Sequence, residues 1–458
     1  MAERHGACGW WLNPSAPLPG SMEAEYQTRL AALRCPSYAQ RPRDEPAGGD
    51  LAWVREARGT PLLEGEGFAA RFPTSISRKE ESFCNAMSLP GARIGTPAFV
   101  TCGLHAYLAS FHRSKTMRLA TLPALCALAL LTVGPARAEP LKPERRIEAT
   151  SDFAGKKGKA AKDISGIACR PPAGGEWRCL VVNDESKAAQ FATLTQKTIR
   201  PERAQPLIGD TTPAASGRQP AIGCPRQGGF GEFDGEGIAY ADRSFYIVGS
   251  HGCSRHGGEY RPSSFLLARI GAGNGPAGTP ELSWRVSDLL GAASEVAPYL
   301  GKPLDAETNG LNIEGLAVVG DRLWLGLRAP SLGGRAFLVG GSVTELFKPG
   351  SGPAATPPQL LAVPAGAQRG VRDLAPLADG RLLVLVGPAQ EQEVPYAILL
   401  LDPADPTAAR ELGELRQRKN AKAEALTVLT EERDELRVIV GYDGVKNGEF
   451  EEYRLKLR

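Results

Sequence analysis

Short apolar runs bounded by turn residues are the main pattern in the C-terminal part of the chain. They are rich in leucine, β-branched and aromatic residues, which is typical of buried strands. Dipeptides such as Gly320-Asp321 and Asp379-Gly380 bound them and predict tight turns. The clearest runs are Leu180–Glu185, Ser244–Ser250, Arg322–Arg328, Arg381–Gly387 and Leu436–Tyr442.

A six-residue motif precedes each of these runs. Its copies are Asp163–Ala168, Asp234–Ala239, Asn312–Ala317, Gly370–Ala375 and Lys422–Thr427. Their third residues, 71, 78, 58 and 52 positions apart, are Ser165, Glu236, Glu314, Arg372 and Glu424. A propeller blade of four short strands and its turns needs about 45 to 60 residues. The repeat therefore predicts an all-β propeller with five or six blades, and the two long gaps favour six.

The two ends of the repeat region predict how the ring closes. Glu452–Leu457 alternates apolar and polar residues and forms a last strand. We expect it to pair with a strand near Arg146–Ala149, because a blade built from both chain ends leaves no open sheet edge. Helix is sparse, and Ala408–Asn420 is the best candidate for a short one.

An apolar segment in the middle of the chain has the pattern of a secretory signal. Arg118 precedes the apolar run Leu119–Val133, and an Ala-x-Ala cleavage site ends at Ala138. A transmembrane anchor is the alternative. A membrane span needs about 20 apolar residues, however, and this run is shorter and is interrupted by Pro123. We predict a signal peptide over 117–138 and a propeller domain over 139–458 that is periplasmic or extracellular, without a transmembrane anchor.

The upstream segment 1–116 shows no sustained strand or helix period, and proline and glycine interrupt it every few residues. A signal peptide normally lies at the N-terminus of the translated protein, and Met117, directly before the signal pattern, could be the true start. We therefore predict that 1–116 is a disordered extension or the product of a misplaced start. A separate small domain is the alternative.

Charge and cysteine content narrow the possible functions. The 54 basic and 51 acidic residues nearly cancel, which argues against a nucleic-acid-binding surface. Four cysteines follow the signal, an even number that predicts two disulfides in an oxidising compartment. Cys169 and Cys179 flank a turn and are expected to pair across a hairpin, which leaves Cys224 for Cys253. Free buried thiols are the alternative.

The third motif positions are the first candidate site. The inner strand of each propeller blade lines the central channel, so equivalent residues converge on one ring. Carboxylate oxygens from Glu236, Glu314 and Glu424 would suit a hard cation such as Ca²⁺, which makes them candidate metal ligands. Arg372 belongs to the same ring, so an internal ion pair is an equal alternative.

A second candidate cluster follows the apolar runs. Its members are Asp184, His251, Arg328 and Asp443. Because they follow equivalent strands, they should share one face and could form a mixed-charge rim that binds a phosphate or carboxylate. A solvated, salt-bridged loop face is the alternative. The chain has no nucleophile elbow, phosphate-binding loop or dinucleotide-binding fingerprint.

Several motifs within 162–442 resemble the bacterial family known as domain of unknown function 3616. They are Glu236-Gly-Ile-Ala239, Gly249-Ser-His251, Ile313-Glu-Gly-Leu-Ala317, Gly326-Leu-Arg-Ala-Pro330, Gly370-Val-Arg-Asp-Leu374 and Lys422-Ala-Glu-Ala425. More distantly, the chain is similar to secreted phytase-like esterases, the SdiA-regulated group and calcium-dependent gluconolactonase-type propellers. In the last group a Glu-Gly segment supplies a metal ligand, which implies that role for Glu236 and Glu314. The resemblance to domain of unknown function 3616 implies no activity.

Together these patterns predict an exported propeller that binds a small ligand, a cation or a protein partner in a charged axial pocket, with Ca²⁺ as the candidate cofactor. The alternative is a cation-dependent hydrolase of phosphate esters, carboxylic esters or lactones, in which a metal polarises the substrate or activates water. His251 or Glu424 would then be the nearby acid or base. The sequence assigns no catalytic residue.

Overall fold

The computed structural model describes residues 139–255, 257–272 and 278–457. The predicted upstream extension (1–116) and signal peptide (117–138) lie outside these ranges and stay predictions. The described chain begins with two short strands, β1 (Arg145–Arg146) and β2 (Glu148–Ala149). No helix in the described ranges has the length and apolar character needed to cross a membrane.

Within the described residues, five sheets form the five blades of a β-propeller, and their strands pair antiparallel except for β2, which pairs parallel with β6. Blade 1 contains β3 (Ile164–Cys169), β4 (Trp177–Asn183), β5 (Ala188–Leu194) and β6 (Thr198–Pro206), with β2 added at its outer edge. A separate parallel pair is formed by β7 (Arg226–Gln227) and β10 (Glu259–Tyr260). Blade 2 contains β8 (Gly235–Ala241), β9 (Ser244–Gly249), β11 (Leu267–Gly271) and β12 (Glu281–Ser283).

The remaining three blades follow in chain order. Blade 3 contains β13 (Asn312–Val319), β14 (Arg322–Leu332), β15 (Arg335–Ser342) and β16 (Gln359–Pro364). Blade 4 contains β17 (Arg369–Pro376), β18 (Leu382–Pro388), β19 (Ala397–Asp402) and β20 (Asp405–Glu414). Blade 5 contains β21 (Lys422–Glu432), β22 (Glu435–Asp443) and β23 (Glu451–Lys456), together with β1.

Short helices occupy some of the described connections. The α-helices are α1 (Val286–Ala292) and α2 (Val343–Leu346), and the 3-10 helices are Lys156–Gly158, Pro262–Phe265, Ala297–Tyr299 and Lys446–Glu449. The predicted helix over Ala408–Asn420 is wrong, because β20 occupies most of it. As the outermost strand of blade 4, β20 has no buried residue and lacks the apolar alternation that identifies a half-buried strand.

The predicted propeller of five or six blades is confirmed, and the number is five rather than the six we favoured. The inner strands β3, β8, β13, β17 and β21 contact one another in that order, and β21 contacts β3, which closes the ring. The two long gaps between motifs hold insertions instead of a sixth blade. The first insertion, 207–234, follows β6, and the second, 284–311, contains α1 and follows β12.

An apolar cluster fills the space between each pair of neighbouring blades. Between blades 5 and 1, for example, Ile167 and Val181 pack with Ile439, and all three are buried. Between blades 3 and 4, Leu338 packs with Val384. Each sheet therefore buries both faces against its neighbours, which explains why its central strands are nearly continuous apolar runs.

The described residues form both predicted disulfides. Cys169 and Cys179 lie opposite each other on β3 and β4 and are bonded. Cys224, in the first insertion, is bonded to Cys253, in the loop after β9. The second bond therefore ties the insertion to the end of blade 2.

The predicted closure of the ring is also confirmed. Strand β1 pairs antiparallel with β23, so that Arg145 lies opposite Glu452 and Arg146 lies opposite Glu451. The almost fully buried carboxylate of Glu452 forms ion pairs with Arg145 and with Arg437 of β22. Tyr453 and Leu455 of β23 are each only 1% exposed, so this strand contributes to the core as well as to the edge.

Deletion of 452–458 should therefore destabilise or unfold the propeller. Blade 5 then loses the strand pairing between β23 and β1, together with the buried side chains of Tyr453 and Leu455. A milder variant, Leu455→Ala, should lower the free energy of unfolding by about 2–5 kcal/mol, the usual cost of emptying a buried leucine site. The exposed neighbour, changed in Arg454→Ala, is the control. Thermal or denaturant unfolding measures all three. Ring closure by β23 is refuted if the truncated protein and Leu455→Ala melt like the intact chain.

Candidate functional site

The third residue of every motif is the extra residue of a β-bulge. The pairing of inner and second strand shifts register at this point in all five blades. A bulge breaks the regular alternation of side chains and redirects one of them. The five bulged residues are Ser165, Glu236, Glu314, Arg372 and Glu424. The repeated backbone irregularity explains why these equivalent positions meet at the axis.

A cavity of about 390 Å³ lies where the inner strands begin and the second strands end. Six of the eight predicted site residues line it: Asp184, Glu236, Glu314, Arg328, Glu424 and Asp443. Among the described residues, nine carboxylates and five cationic side chains contribute to its wall. The further acids are Asp163, Glu185, Glu232 and Asp234, and the further bases are Lys156, Arg255, Arg261 and Lys422. We call this space the axial cavity.

One side of the axial cavity is an ion-pair network. Glu314 is 2.6 Å from Arg328 and 2.9 Å from Arg372, and Arg372 also pairs with Glu424. Arg328 donates a further hydrogen bond of 3.0 Å to the carbonyl of Ala389. All four charged side chains are buried. The internal ion pair, one of the two alternatives from the sequence, is therefore present, and Glu314 and Glu424 direct oxygens at arginines.

The other side of the axial cavity has carboxylates without such partners. Asp184, Asp234 and Glu236 form no salt bridge with any described lysine or arginine, although Asp234 accepts a hydrogen bond from the Ser250 hydroxyl. Each keeps some contact with the cavity but is surrounded mainly by protein. Burial, followed by repulsion from Asp234 and Asp443, raises the pKa of Asp184 to about 8. Burial also raises the pKa values of Asp234 and, by more, Glu236.

Three oxygens of cavity-lining residues are buried without a hydrogen-bond donor: Oδ1 of Asp184, Oδ1 of Asn312 and Oε2 of Glu314, of which only the last has an ion-pair partner, Arg372. Asn312 is only 6% exposed and begins β13. Buried oxygens normally receive a hydrogen bond from protein or water, or bind an ion. Sequence reasoning missed Asn312, Asp163 and Asp234 as site residues. All three occupy the first position of the motif, and comparing that position between repeats would have found them.

His251 and Arg372 do not line the axial cavity. The His251 ring is fully buried, its Nδ1 lies 2.9 Å from the carbonyl oxygen of Gly249, and it packs against Phe265. Burial lowers its pKa to about 4, so the ring is neutral. The prediction that His251 belongs to the rim is therefore wrong. Its φ of 51° turns the chain after β9 and departs from the strand geometry behind that prediction.

The predicted metal ligands lie near one another but divide between the two sides of the cavity. Glu314 and Glu424 belong to the ion-pair network, whereas Glu236 belongs to the unpaired side. Nowhere in the described ranges do three or more His, Cys, Asp or Glu side chains form a group that could hold a metal ion. The oxygens of Asp184, Asp234, Glu236 and Asn312 have the hard chemistry that Ca²⁺ prefers, and water would have to complete its coordination.

The solved structures that match this chain have little sequence in common with it. An exo-β-1,3-galactanase from Phanerochaete chrysosporium is 9% identical, with a TM-score of 0.37 over 69% of this chain and 65% of its own. An α-L-arabinofuranosidase from Podospora anserina is 10% identical, with a TM-score of 0.37 over 69% of this chain and 96% of its own. A protein of unknown function from Dyadobacter fermentans is 10% identical, with a TM-score of 0.34 over 70% of this chain and 100% of its own.

No curated protein matches the chain in sequence. A family model does match residues 281–452, from β12 to the beginning of β23, and its description is "Protein of unknown function (DUF3616)". This range includes the Glu314, Arg328, Arg372 and Glu424 network, and it confirms the family resemblance drawn from the motifs. Over this region the chain is similar to the DUF3616 family.

Proposed function

We propose that the axial cavity binds a small ligand that carries positive charge, either a divalent cation such as Ca²⁺ or an organic cation. The observation that carries this proposal is the unpaired acidic side formed by Asp184, Asp234 and Glu236. Carboxylates that are partly removed from water and repel one another gain from any cation that enters between them. The cavity volume of about 390 Å³ lies within the usual range for small-ligand sites.

The ion-pair network supports the proposal by contrast. Arg328 and Arg372 neutralise Glu314 and Glu424 and keep those carboxylates in fixed positions. Arg328 acts on Glu236, and Arg261 on Asp234, only through longer-range attraction. No described lysine or arginine forms a salt bridge with either acid or with Asp184, so a ligand cation can pair directly with this side of the cavity. The charged groups line a concavity rather than a flat face, which favours a small ligand over a protein partner.

The proposal predicts saturable binding of Ca²⁺ or of 1,4-diaminobutane, measured by isothermal titration calorimetry on the purified protein. Asp184→Asn and Glu236→Gln each remove one carboxyl group that would be ionised in the cation complex, and each should weaken binding by about tenfold or more, equivalent to about 1.4 kcal/mol. Asp242→Asn and Glu307→Gln are the matched controls, because both exposed side chains lie outside the cavity. Cation binding is refuted if neither probe binds, or if the cavity variants bind like the controls.

The same titration has an expected pH dependence. Because the pKa of Asp184 is raised to about 8, cation binding at neutral pH should release a proton, and affinity should rise as the pH approaches 8. In the absence of a ligand, the stability of the fold should depend on pH in the opposite direction. The unfolded carboxyl ionises near 3.8, so the free energy of unfolding should fall as pH rises from about 4 to about 8. Asp184→Asn should flatten both dependences.

A second candidate is the cation-dependent hydrolase of phosphate esters, carboxylic esters or lactones. The observation that favours it is Asp184, whose raised pKa keeps the carboxyl protonated near neutral pH beside other acids, as in a general acid. Of the acids and bases suggested by the sequence, His251 does not reach the cavity and Glu424 is held by Arg372. Asp184 replaces them in this proposal.

Hydrolysis predicts turnover of at least one of p-nitrophenyl phosphate, p-nitrophenyl acetate and a δ-lactone. The activity should require Ca²⁺, disappear with EDTA, and fall by about 100-fold or more in Asp184→Asn, the usual contribution of a general acid. Asp242→Asn should keep full activity. Absence of turnover on all three substrates would leave the cavity with a binding role only.

We also propose that the protein is exported and cleaved near Ala138. Two disulfides support this, since such bonds persist mainly outside the cytoplasm. The chain purified from a periplasmic or culture fraction should begin at Glu139 by intact mass, and its cysteines 169, 179, 224 and 253 should resist alkylation until reduced. A product that retains 1–138, or four freely alkylated thiols, would contradict export.

A further inference from the structure

A second cavity of about 430 Å³ lies beside the axial cavity. Its wall comes from the end of β18, the loop 389–396 before β19, and the loop 415–421 before β21. Arg328 and Lys422 line both cavities, whereas Arg372 lines only the second one. We call this space the side cavity. Unlike the axial cavity, it is lined by more cationic than acidic side chains, and it also contains neutral hydrogen-bond donors.

The first of these donors is the amide of Gln390. The residue is only 9% exposed, and its Nε2 is buried without an acceptor. Its backbone is held in place, because its N–H donates to Oε1 of Gln392 at 2.7 Å and its carbonyl accepts from Arg328 at 3.5 Å. A buried amide in a fixed position with an unused donor is unusual, and it calls for an acceptor from outside the protein.

The second donor is the hydroxyl of Tyr396. Its ring lies against Gly387, where an added Cβ would stand 2.3 Å from a ring atom, so the glycine permits this position. No acceptor for the hydroxyl is found among the described residues, and the cationic Arg328 and Arg372 nearby offer only N–H groups. Burial raises the pKa of Tyr396, so the hydroxyl keeps its proton and can donate it to a hydrogen bond.

The charge on the wall of the side cavity has the opposite sign to that of the axial cavity. Its described cationic residues are Arg328, Arg372, Arg418, Lys419 and Lys422, and its described acids are Glu391 and Glu393. Glu391 pairs with Arg255, which does not line the side cavity. The carboxylates that pair with the arginines, such as Glu314 and Glu449, do not line it either.

We propose that the side cavity binds an oxyanion, the carboxylate or phosphate group of a small molecule. Nε2 of Gln390 and the Tyr396 hydroxyl donate to it, and the ammonium group of Lys419 supplies positive charge, whereas that of Lys422 is already paired with Asp443. A neutral polyol would accept the same hydrogen bonds, but it would gain nothing from Lys419. The site is independent of the proposed cation site, because no residue in this argument needs a cation in the axial cavity.

The test is calorimetric titration of the purified full chain with potassium phosphate and, separately, sodium acetate, at constant ionic strength and with EDTA present. At least one anion should bind saturably with a Kd at or below about 1 mM. Gln390→Leu together with Tyr396→Phe should weaken that binding by about tenfold or more. Gln359→Leu together with Tyr299→Phe is the matched control, since neither residue lines the side cavity.

Each result decides the proposal. Binding of phosphate alone identifies a phosphoryl ligand, and binding of acetate alone identifies a carboxylate ligand. The proposal is overturned if neither anion binds, if sorbitol binds instead, or if the double variant binds like its control while melting at the same temperature. If the double variant does not fold, Tyr396→Phe alone must still weaken the binding of the anion. EDTA keeps this result separate from any outcome of the cation titration.

Discussion

The close approach of five inner strands at the propeller axis is the constraint on which the rest of the structure depends. The fourth motif residue is glycine in three blades, because a Cβ at Gly166, Gly237 or Gly315 would stand about 3 Å or less from the neighbouring blade. Blade 4 has Asp373 there, and its carboxylate accepts hydrogen bonds of 2.7 Å from Leu374 and 2.5 Å from Leu426 of blade 5. The axis is thus packed by backbone contact, without room for a side-chain core.

This packing determines where charge can lie. The bulge directly before the tight contact redirects the third motif residue, and Glu236, Glu314 and Glu424 reach the axial cavity from these positions. Charge must be balanced there at short range, and the chain does so unevenly. Blades 3, 4 and 5 neutralise their acids with Arg328 and Arg372, whereas blades 1 and 2 present Asp184, Asp234 and Glu236 without a salt bridge to any described lysine or arginine.

The sequence predicted the features that depend on local pattern and repetition. Strand runs, the five motifs, closure through β23 and both disulfides follow from alternation, spacing and cysteine parity. The blade number did not follow, because spacing alone does not distinguish a long insertion from a blade. The position of His251 depended on a backbone φ of 51°, which strand geometry does not anticipate. The choice of Arg372 as partner for Glu314 and Glu424 depended on how neighbouring blades are rotated about the axis, which no local pattern encodes.

The unpaired acids are best understood by comparison with acids that the same fold satisfies. Asp373 is fully buried and receives backbone N–H groups, and Glu314 is almost as buried and receives two arginines. The chain therefore has two ways to accommodate a carboxylate near the axis, and it uses neither for Glu236. Proteins that leave such groups unsatisfied generally do so at functional sites, where a ligand completes the arrangement. A purely structural role would predict a third arginine near Glu236, and the described residues supply none within salt-bridge distance.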